Sequence, residues 1–311
     1  MAALIGCREL EARLEAAVKI IVAVLAHNEQ RRIGACLASL LHGAPPASVH
    51  VVVNGSNDRT AAIARTFEKR ADEKGAGEEQ PARLVVHDWP EGGKARSWNR
   101  FLFDTPGVEA DVFVFVDGDA EVTPGSISAL AATIAADPAV NAAAGMPRNG
   151  RRAEQYRAEM TASRGLFGDL YALSGTFVAR LRASGVRLPA DLIGDDSLIG
   201  ALAKTDLAGE HDWRDQRVEP CSGAGFLCEP AALASPRSLA IQYRRMVNYS
   251  IRHFQNRIVS AVMRGPGPAD LPARMADLYP EWLDQFRPRC HPVWWWFDRR
   301  ALARMRASVS A

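Results

Sequence analysis

Short apolar runs alternate with longer amphipathic segments over the first half of the chain. Four runs rich in β-branched and aromatic residues predict strands at 19–26, 49–54, 82–88 and 111–117. Helical patterns occupy the intervals near 29–41, 57–73 and 93–103. Strands with so few polar positions are typical of a parallel sheet covered on both faces, and their alternation with helices predicts βαβ units. We therefore expect an α/β fold with an open, mostly parallel twisted sheet flanked by helices.

The pattern changes after about residue 145. Glycine-interrupted apolar runs at 170–181 and 221–230 predict short strands, and a helical pattern from Asp195 to Lys204 lies between them. A long helical pattern extends from Ser238 to about Met263. The second half is therefore expected to be mixed α+β.

A Pro- and Gly-rich segment, GPGPADLP, separates a predicted domain, 1–263, from a helical C-terminal extension, 264–311. From Arg237 onward the chain has 13 arginines, no lysine and five acidic residues. The whole chain has a net charge of only +2, which is too low to indicate a nucleic-acid-binding protein.

The composition is that of a folded, soluble protein. Hydrophobic residues make up 48% of the 311 positions and charged residues 24%. No apolar run approaches the ~18 residues of a spanning helix, and residues 1–19 predict a short exposed helix and not a signal peptide. The five cysteines are scattered without CxxC spacing, which indicates reduced thiols. We expect a cytoplasmic protein.

Two aspartates, Asp117 and Asp119, directly follow the apolar strand VFVFV. Open α/β sheets bind ligands at the carboxyl ends of their strands, and carboxylate oxygens suit Mg²⁺ or Mn²⁺. The pair is consistent with a divalent metal that holds a diphosphate, and equally with a polar turn that ends a strand.

A second acidic pair, Asp195 and Asp196, opens the helical segment SLIGALAK. An aspartate at a helix start is commonly an N-cap. In a partly closed site the pair also has a chemical use, because one carboxylate could take the proton of an acceptor hydroxyl while the other orients it.

Three other enzyme classes lose support from the sequence. No GxGxxG follows a strand, Gly93-Lys94 lacks the rest of a P-loop, and no GxSxG occurs. These absences argue against dinucleotide-dependent hydride transfer, P-loop phosphoryl transfer and a serine hydrolase.

Seven segments, in order, resemble the family 2 inverting glycosyltransferases, which have the GT-A fold. In the first half they are VAVLAHNEQRRIGACLASLL (22–41), VVVNGSNDRTAAIAR (51–65), GGKARSWN (92–99) and DVFVFVDGDAEVTPG (111–125). In the second half they are YALSGTFVAR (171–180), GDDSL (194–198) and QYRRM (242–246). The resemblance spans about 19–246 and implies a nucleotide-sugar-binding half, about 19–145, and an acceptor half, 146–263.

The resemblance implies how a nucleotide diphosphate sugar would be held. Asp117 and Asp119 would hold the donor through Mn²⁺ or Mg²⁺, with Asp119 the direct metal ligand. Gln242 and Arg245 would close over the donor diphosphate or the acceptor, since the guanidinium fork suits phosphate oxygens. The other donor-side positions would be Ala26, Asn28, Glu29, Asn54, Asp58 and Lys94.

The resemblance also implies a single displacement with inversion. Asp196 would be the general base, with Asp195 beside it in the motif. His211 is a candidate third metal ligand, although a lone histidine is more often a packed or surface residue. Met246 stands where processive synthases carry tryptophan, so a single sugar would be moved to an acceptor hydroxyl.

One departure from the family pattern concerns the nucleotide base. Val53 and Asn54 stand where the family often has two consecutive acids. A UDP-sugar is the favoured donor, and a GDP-sugar is the alternative. Two other functions stay open: a nucleotidyltransferase that makes a nucleotide sugar, and a non-catalytic nucleotide-sugar-binding protein of the same fold.

The C-terminal segment HPVWWWFDRRALARMR places aromatic residues beside four arginines. This composition is typical of a membrane interface, and peripheral contact with the inner face of the membrane would suit a lipid or lipid-linked acceptor. The alternative is that the tryptophans pack on the main domain or on a dimer partner. The sequence indicates no oligomeric state.

Overall fold

The computed structural model describes residues 18–41, 47–75, 83–228 and 236–309. Their strands are β1 (Ile20–Ala26), β2 (Ala47–Asn54), β3 (Leu84–Trp89), β4 (Val112–Asp117), β5 (Glu121–Val122), β6 (Ala142–Pro147), β7 (Leu170–Ser174) and β8 (Val218–Leu227). The four strands predicted in the first half are confirmed. The helix predicted within 1–19 lies outside the described residues.

The helices alternate with these strands and then dominate the C-terminal part. They are α1 (Ile33–Leu41), α2 (Thr60–Gly75), α3 (Lys94–Asn99), α4 (Ser126–Ala136), α5 (Ala153–Ser163), α6 (Gly175–Ser184), α7 (Asp195–Thr205), α8 (Pro236–Arg264), α9 (Tyr279–Trp282) and α10 (Pro292–Val309). Helix α3 continues into a π-helical turn, Arg100–Asp104.

The strands form one mixed sheet in the order β3-β2-β1-β4-β7-β6-β8-β5. Strands β3, β2, β1 and β4 are parallel, whereas β7 is antiparallel to both β4 and β6. The carboxyl ends of β1, β2 and β4 therefore meet at one edge, where open α/β sheets bind ligands. Because β7 runs in the opposite direction, its first residue lies at that same edge.

Alternate residues of the central strands bury against different layers of helices. In β1, Val22 and Val24 share a hydrophobic cluster with residues of α1 and α4. Ile21 and Ala23 belong to the cluster on the other face, with residues of α3, α7 and α8. Covering on both faces explains why the strand has almost no polar position.

The glycine-interrupted strand predicted over 170–181 forms only in its first part, and the prediction is wrong from Gly175 onward. β7 ends at Ser174 and α6 begins at Gly175. The Ser174 hydroxyl accepts a hydrogen bond from Phe177 N at 3.2 Å and so caps the helix. A Cβ at Gly175 would collide with Ala110 O, so the glycine marks a close backbone contact.

The C-terminal extension shares the core of the preceding residues. Helix α10 packs along α8, and Ala301, Leu302 and Met305 belong to the cluster that α8 also lines. The buried Asp298 accepts hydrogen bonds from N and Nε of Arg289, both at 2.9 Å. Burial raises the pKa of Asp298, but these hydrogen bonds outweigh it and hold the pKa below its ordinary value.

Membrane-spanning helices were also sought in the structure. Across the four described ranges, no helix combines the length and the apolar character that crossing a membrane requires.

Candidate active site

Asp117 is the last residue of β4 and Asp119 lies on the turn that follows, at the edge where the parallel strands end. Gly118 N donates a hydrogen bond to Leu25 O at 2.9 Å, which holds the turn against the end of β1. A Cβ on Gly118 would lie 2.8 Å from Ala26 Cβ, so the residue between the two aspartates must be small. The turn therefore fixes both carboxylates at this edge.

A third carboxylate, Asp169, joins this pair. It precedes β7, and its carbonyl oxygen accepts a hydrogen bond from Asp117 N at 3.1 Å. One ligand atom from each of Asp117, Asp119 and Asp169 lies within 4.8 Å of the others. Among the described residues, this is the one group of His, Cys, Asp or Glu side chains that could hold a metal ion. The sequence analysis missed Asp169, because its position depends on the antiparallel pairing of β7 with β4.

The electrostatics of this acidic cluster favour a bound cation. Burial raises the pKa of Asp117 well above its ordinary value, against the opposing charge of Lys94. Burial also raises the pKa of Asp169, although the Cys228 thiol donates a hydrogen bond to Asp169 Oδ1 at 3.1 Å. Placing three carboxylates together is costly unless positive charge offsets them.

Lys94, at the start of α3, supplies one positive charge. Its Nζ lies 2.6 Å from Asp117 Oδ1 and 3.8 Å from Asp195 Oδ1, and it donates to Gly168 O at 3.3 Å. Burial lowers the pKa of Lys94, but Asp117 and Asp195 outweigh it and raise the pKa above its ordinary value. The resemblance implied a position near the nucleotide or its diphosphate, and the structure places the ammonium between the two acidic pairs.

The second acidic pair forms the first turn of α7 and differs in exposure. Asp195 is 4% exposed, and its Oδ2 is a buried side-chain atom without a hydrogen-bond partner among the described residues. Burial raises the pKa of Asp195. Asp196 is more accessible, and its Oδ1 pairs with Arg252 Nη2 at 2.9 Å. Arg252 also donates to Ser197 Oγ at 2.5 Å, which fixes the guanidinium beside this carboxylate.

The two acidic pairs border one cleft, and Gly168 lies between them. A Cβ on Gly168 would lie 3.1 Å from Lys94 Nζ and 3.7 Å from Asp196 Cβ. The following residue, Asp169, belongs to the acidic cluster. The structure thus brings Asp117, Asp119 and the Asp195-Asp196 pair together, as the sequence analysis expected.

The loops after β1 and β2 hold the predicted donor-side residues. Asn28 adopts a left-handed backbone with φ 59°, and its Oδ1 accepts from Asn57 N at 3.0 Å. Asp58 accepts from Gln30 N at 3.1 Å and from Thr60 N at 2.9 Å. Burial raises the pKa of Asp58, but these hydrogen bonds outweigh it and lower the pKa. The two loops are therefore tied to each other before any ligand binds.

Asn54 has a structural role at this edge. Its side chain is 3% exposed, and its Nδ2 donates to Ala26 O at 3.1 Å while its Oδ1 accepts from Gly93 N at 3.3 Å. The amide thus joins β1, β2 and the segment before α3. An acid at this position could not donate to Ala26 O, which gives a physical reason for the departure from the family pattern.

Glu29 faces the acidic cluster from the β1 loop. Burial, followed by the nearby charge of Asp119, raises the pKa of Glu29 from 4.5 to about 7, and Arg245 acts in the opposite direction. Arg245 is exposed and Gln242 half-buried on the N-terminal part of α8.

His211 is not part of the acidic cluster. It lies in a 3₁₀ turn, Glu210–Asp212, where its side chain is 81% exposed and its Nε2 lies 3.1 Å from Asp212 Oδ2. The histidine expected as a third metal ligand therefore lies outside the acidic cluster, whose third carboxylate is Asp169.

Comparisons with known proteins give a family and a fold. The profile of glycosyl transferase family 2 matches residues 21–185. Protein RfbJ of Shigella flexneri is 32% identical over 100 residues, which are 32% of this chain and 64% of RfbJ. The chain thus matches less than two thirds of the length of that relative.

A solved mannosyltransferase structure is similar to this fold over nearly the whole chain. Mannosyltransferase PcManGT from Pyrobaculum calidifontis, in complex with GDP-Man and Mn²⁺, has a TM-score of 0.57 at 22% identity, over 96% of this chain and 76% of that one. Glucosyl-3-phosphoglycerate synthase from Mycobacterium tuberculosis, with Mn²⁺, UDP-glucose and phosphoglyceric acid, has a TM-score of 0.47 at 21% identity, over 76% and 80%. The likeness to PcManGT shows the GT-A fold expected from the sequence.

Proposed function

The chain belongs to glycosyl transferase family 2, and on this premise we propose that it moves one sugar from a nucleotide diphosphate sugar to an acceptor hydroxyl with inversion. The observation that carries the proposal is the convergence of two acidic groups on one cleft. Asp117, Asp119 and Asp169 form one group, and Asp195 and Asp196 the other. The first group suits a diphosphate held by a cation, and the second suits proton removal from an acceptor.

The acidic cluster fits a divalent cation. Its three carboxylates offer hard oxygen donors within 4.8 Å of one another, the ligand type that Mn²⁺ and Mg²⁺ prefer. Asp117, Asp119 and Asp169 would hold the ion. When bound, the cation supplies positive charge that stabilises the departing nucleoside diphosphate.

Asp196 is the proposed general base. Arg252 pairs with its Oδ1, so we assign proton removal to Oδ2, which leaves the acceptor oxygen free to attack the sugar. Asp195 is enclosed and close to Lys94, so it would orient the start of α7 and not contact the acceptor. A single displacement with one base gives inversion at the sugar carbon.

The donor nucleotide would lie across the loops after β1 and β2. Asn28 and Asp58 hold those loops in place, and Glu29 lies on the first of them, within electrostatic reach of Asp119. Gln242 and Arg245 of α8 would contact the diphosphate from the opposite side, where the guanidinium charge favours phosphate oxygens. A UDP-sugar is the proposed donor, and the GDP-sugar of PcManGT is the first alternative.

The proposed acceptor is a hydroxyl of a lipid or lipid-linked glycan. Exposed tryptophans on α10 support this choice, since Trp295 and Trp296 remain accessible after the helix has packed on α8. Peripheral association with the inner face of the membrane would bring such an acceptor to the cleft.

Donor hydrolysis tests the proposal without knowledge of the acceptor. The purified chain is incubated with UDP-, GDP-, dTDP- and CMP-sugars, with Mn²⁺, Mg²⁺ or chelator, and released nucleotide is measured. Release from one donor that needs the metal and is lost in Asp119→Ala supports the transferase. The matched control is Asp137→Ala, an exposed aspartate after α4. No release and no calorimetric binding of any nucleotide would overturn the proposal.

A further inference from the structure

An exposed aromatic and basic surface covers the junction of α8 and α10. Its apolar members are Leu239 and Tyr243 on α8 and Val293, Trp295 and Trp296 on α10, each between 41% and 57% exposed. Its basic members are Arg299 and Arg300, which are exposed on the next turn of α10. We call these seven residues the aromatic–arginine surface.

Contacts between aromatic rings join the exposed sides of α8 and α10 into one surface. The Tyr243 ring meets the edge of Trp296 with centroids 5.6 Å apart. Arg299 lies over Trp295 at 4.7 Å, and Arg300 lies over Trp296 at 5.0 Å, each four residues along the helix. Each guanidinium therefore stacks over a tryptophan ring, while both arginines remain exposed to solvent.

These tryptophans are not required to fill the core. The opposite side of α10 already packs on α8 through Ala301, Leu302 and Met305, all at most 4% exposed. The fold leaves the aromatic–arginine surface exposed to solvent, although exposing large apolar side chains to water is unfavourable. An exposed apolar surface of this kind indicates a binding site for a partner.

We propose that the aromatic–arginine surface docks the protein onto an anionic lipid bilayer. Tryptophan and tyrosine favour the headgroup region, where a flat ring can be half buried and half hydrated. Arginines beside them pair with lipid phosphates and carry the preference for anionic lipids. The charge from Arg237 to the end supports this partner, with 13 arginines against five acidic residues.

A second copy of the chain fits this surface less well. The aromatic–arginine surface contains no acidic residue, and the adjacent Asp298 is buried and paired with Arg289. A symmetric contact would therefore bring Arg299 and Arg300 of both copies together without a compensating charge. A bilayer supplies the missing negative charge.

The surface and the residues proposed to contact the diphosphate share helix α8. Tyr243 lies between Gln242 and Arg245 in sequence, and successive helical positions turn by about 100°, so Tyr243 and Arg245 point to different sides of α8. Docking would present the cleft to an acceptor carried by the membrane; this last step rests on the proposed function, whereas docking itself does not.

Vesicle flotation tests the docking with the full chain. The probes are vesicles of phosphatidylcholine alone and vesicles that also contain phosphatidylglycerol. The protein is expected to float with the anionic vesicles and to be released by salt, because each arginine near such a surface contributes about fivefold in affinity. Arg299→Gln with Arg300→Gln should lower the partition coefficient by about 25-fold.

Trp295→Ser with Trp296→Ser tests the aromatic part, and Trp213→Ser is the control, since Trp213 and Trp295 are both 43% exposed. The double variant should stay in the soluble fraction, while the control floats like the unchanged chain. Circular dichroism monitors folding, and the arginine pair gives an independent readout if the tryptophan variant unfolds.

Flotation that is equal in all variants, or equal on both vesicle types, would overturn docking. If the unchanged chain does not float, and sedimentation shows a dimer that the tryptophan variant loses, the surface is assigned to self-association instead. Flotation uses no sugar donor, so its failure leaves the proposed transfer reaction untouched.

Discussion

Lys94 Nζ lies 2.6 Å from Asp117 Oδ1, so the first residue of α3 neutralises the last residue of β4. The same ammonium lies 3.8 Å from Asp195 Oδ1 at the start of α7. One side chain thus connects the acidic group proposed for the donor with the one proposed for the acceptor. Their spacing depends on this lysine.

Removal of the ammonium should destabilise the fold. Lys94→Met leaves Asp117 and Asp195 as neighbouring negative charges without their cation. The expected loss is about 2 kcal/mol of unfolding free energy at neutral pH, below the usual value for a fully buried pair because Lys94 and Asp117 keep 30% and 27% of their side-chain exposure. Urea unfolding measures it, with Arg96→Met on the same helix as control. Equal stability of Lys94→Met and the unchanged chain would contradict the role given to this lysine.

The third metal position distinguishes Asp169 from His211. Asp169→Asn should weaken Mn²⁺ activation of donor hydrolysis by at least about tenfold, because it removes a charged oxygen ligand. His211→Ala should change activation by no more than about twofold, since an exposed side chain away from the cluster contributes little. Mn²⁺ titrations of the two variants provide the comparison. The reverse result would restore the histidine and remove Asp169 from the site.

Asp196→Asn tests the base. An amide has the same shape but cannot take a proton, so kcat should fall by about 10²–10⁴ while the KM for donor changes little. Steady-state kinetics on the donor found in the hydrolysis screen measures both constants. Asp212→Asn, a partly exposed aspartate after α7, is the control. A folded Asp196→Asn protein with full activity would exclude Asp196 as the base.

Glu29 should make the metal-free fold less stable as pH rises. Its pKa is raised from 4.5 to about 7 in the folded chain, so between these values the folded state keeps a proton that the unfolded state has released. Rising pH then favours unfolding across this window, by about 1–2 kcal/mol once the solvent screening of this partly exposed carboxyl is included. The contribution is fully present below pH 4.5 and is lost above about 7.

Urea unfolding at several pH values, in chelator, measures this effect. Glu29→Gln cannot titrate, so its stability should decline less than that of the unchanged chain across the same window. The two proteins should differ most above pH 7, where the variant is the more stable. Parallel pH profiles for the two proteins would show that Glu29 titrates normally.

The sequence predicted the parallel half of the sheet well, because its signal is local. Residues such as Val22 and Val24 are buried whichever neighbour they meet, so an apolar run marks the strand directly. The strand prediction for the segment after Ser174 failed for the opposite reason. Its apolar pattern suits a strand or a helix, and the hydroxyl cap of Ser174 decides for the helix.

The sequence predicted most of the site through motifs, and missed residues that meet it only by tertiary structure. Asp169 joins the cluster because β7 runs antiparallel beside β4, which no single segment reveals. Arg252 meets Asp196 because α8 crosses the start of α7. Both pairings are non-local, and the sequence near each residue carries no motif for them.

The central claim is that Asp117, Asp119 and Asp169 form a divalent cation site that holds a nucleoside diphosphate. Electron paramagnetic resonance of free Mn²⁺ tests it directly, by titrating the full chain with and without UDP or GDP. We predict that each chain binds about one Mn²⁺ ion, seen as loss of the free Mn²⁺ signal, and that one of the two nucleotides tightens this binding. Asp119→Asn should abolish Mn²⁺ binding, whereas Asp137→Asn should retain it. Unchanged Mn²⁺ binding in Asp119→Asn, or no binding with either nucleotide, would contradict the account.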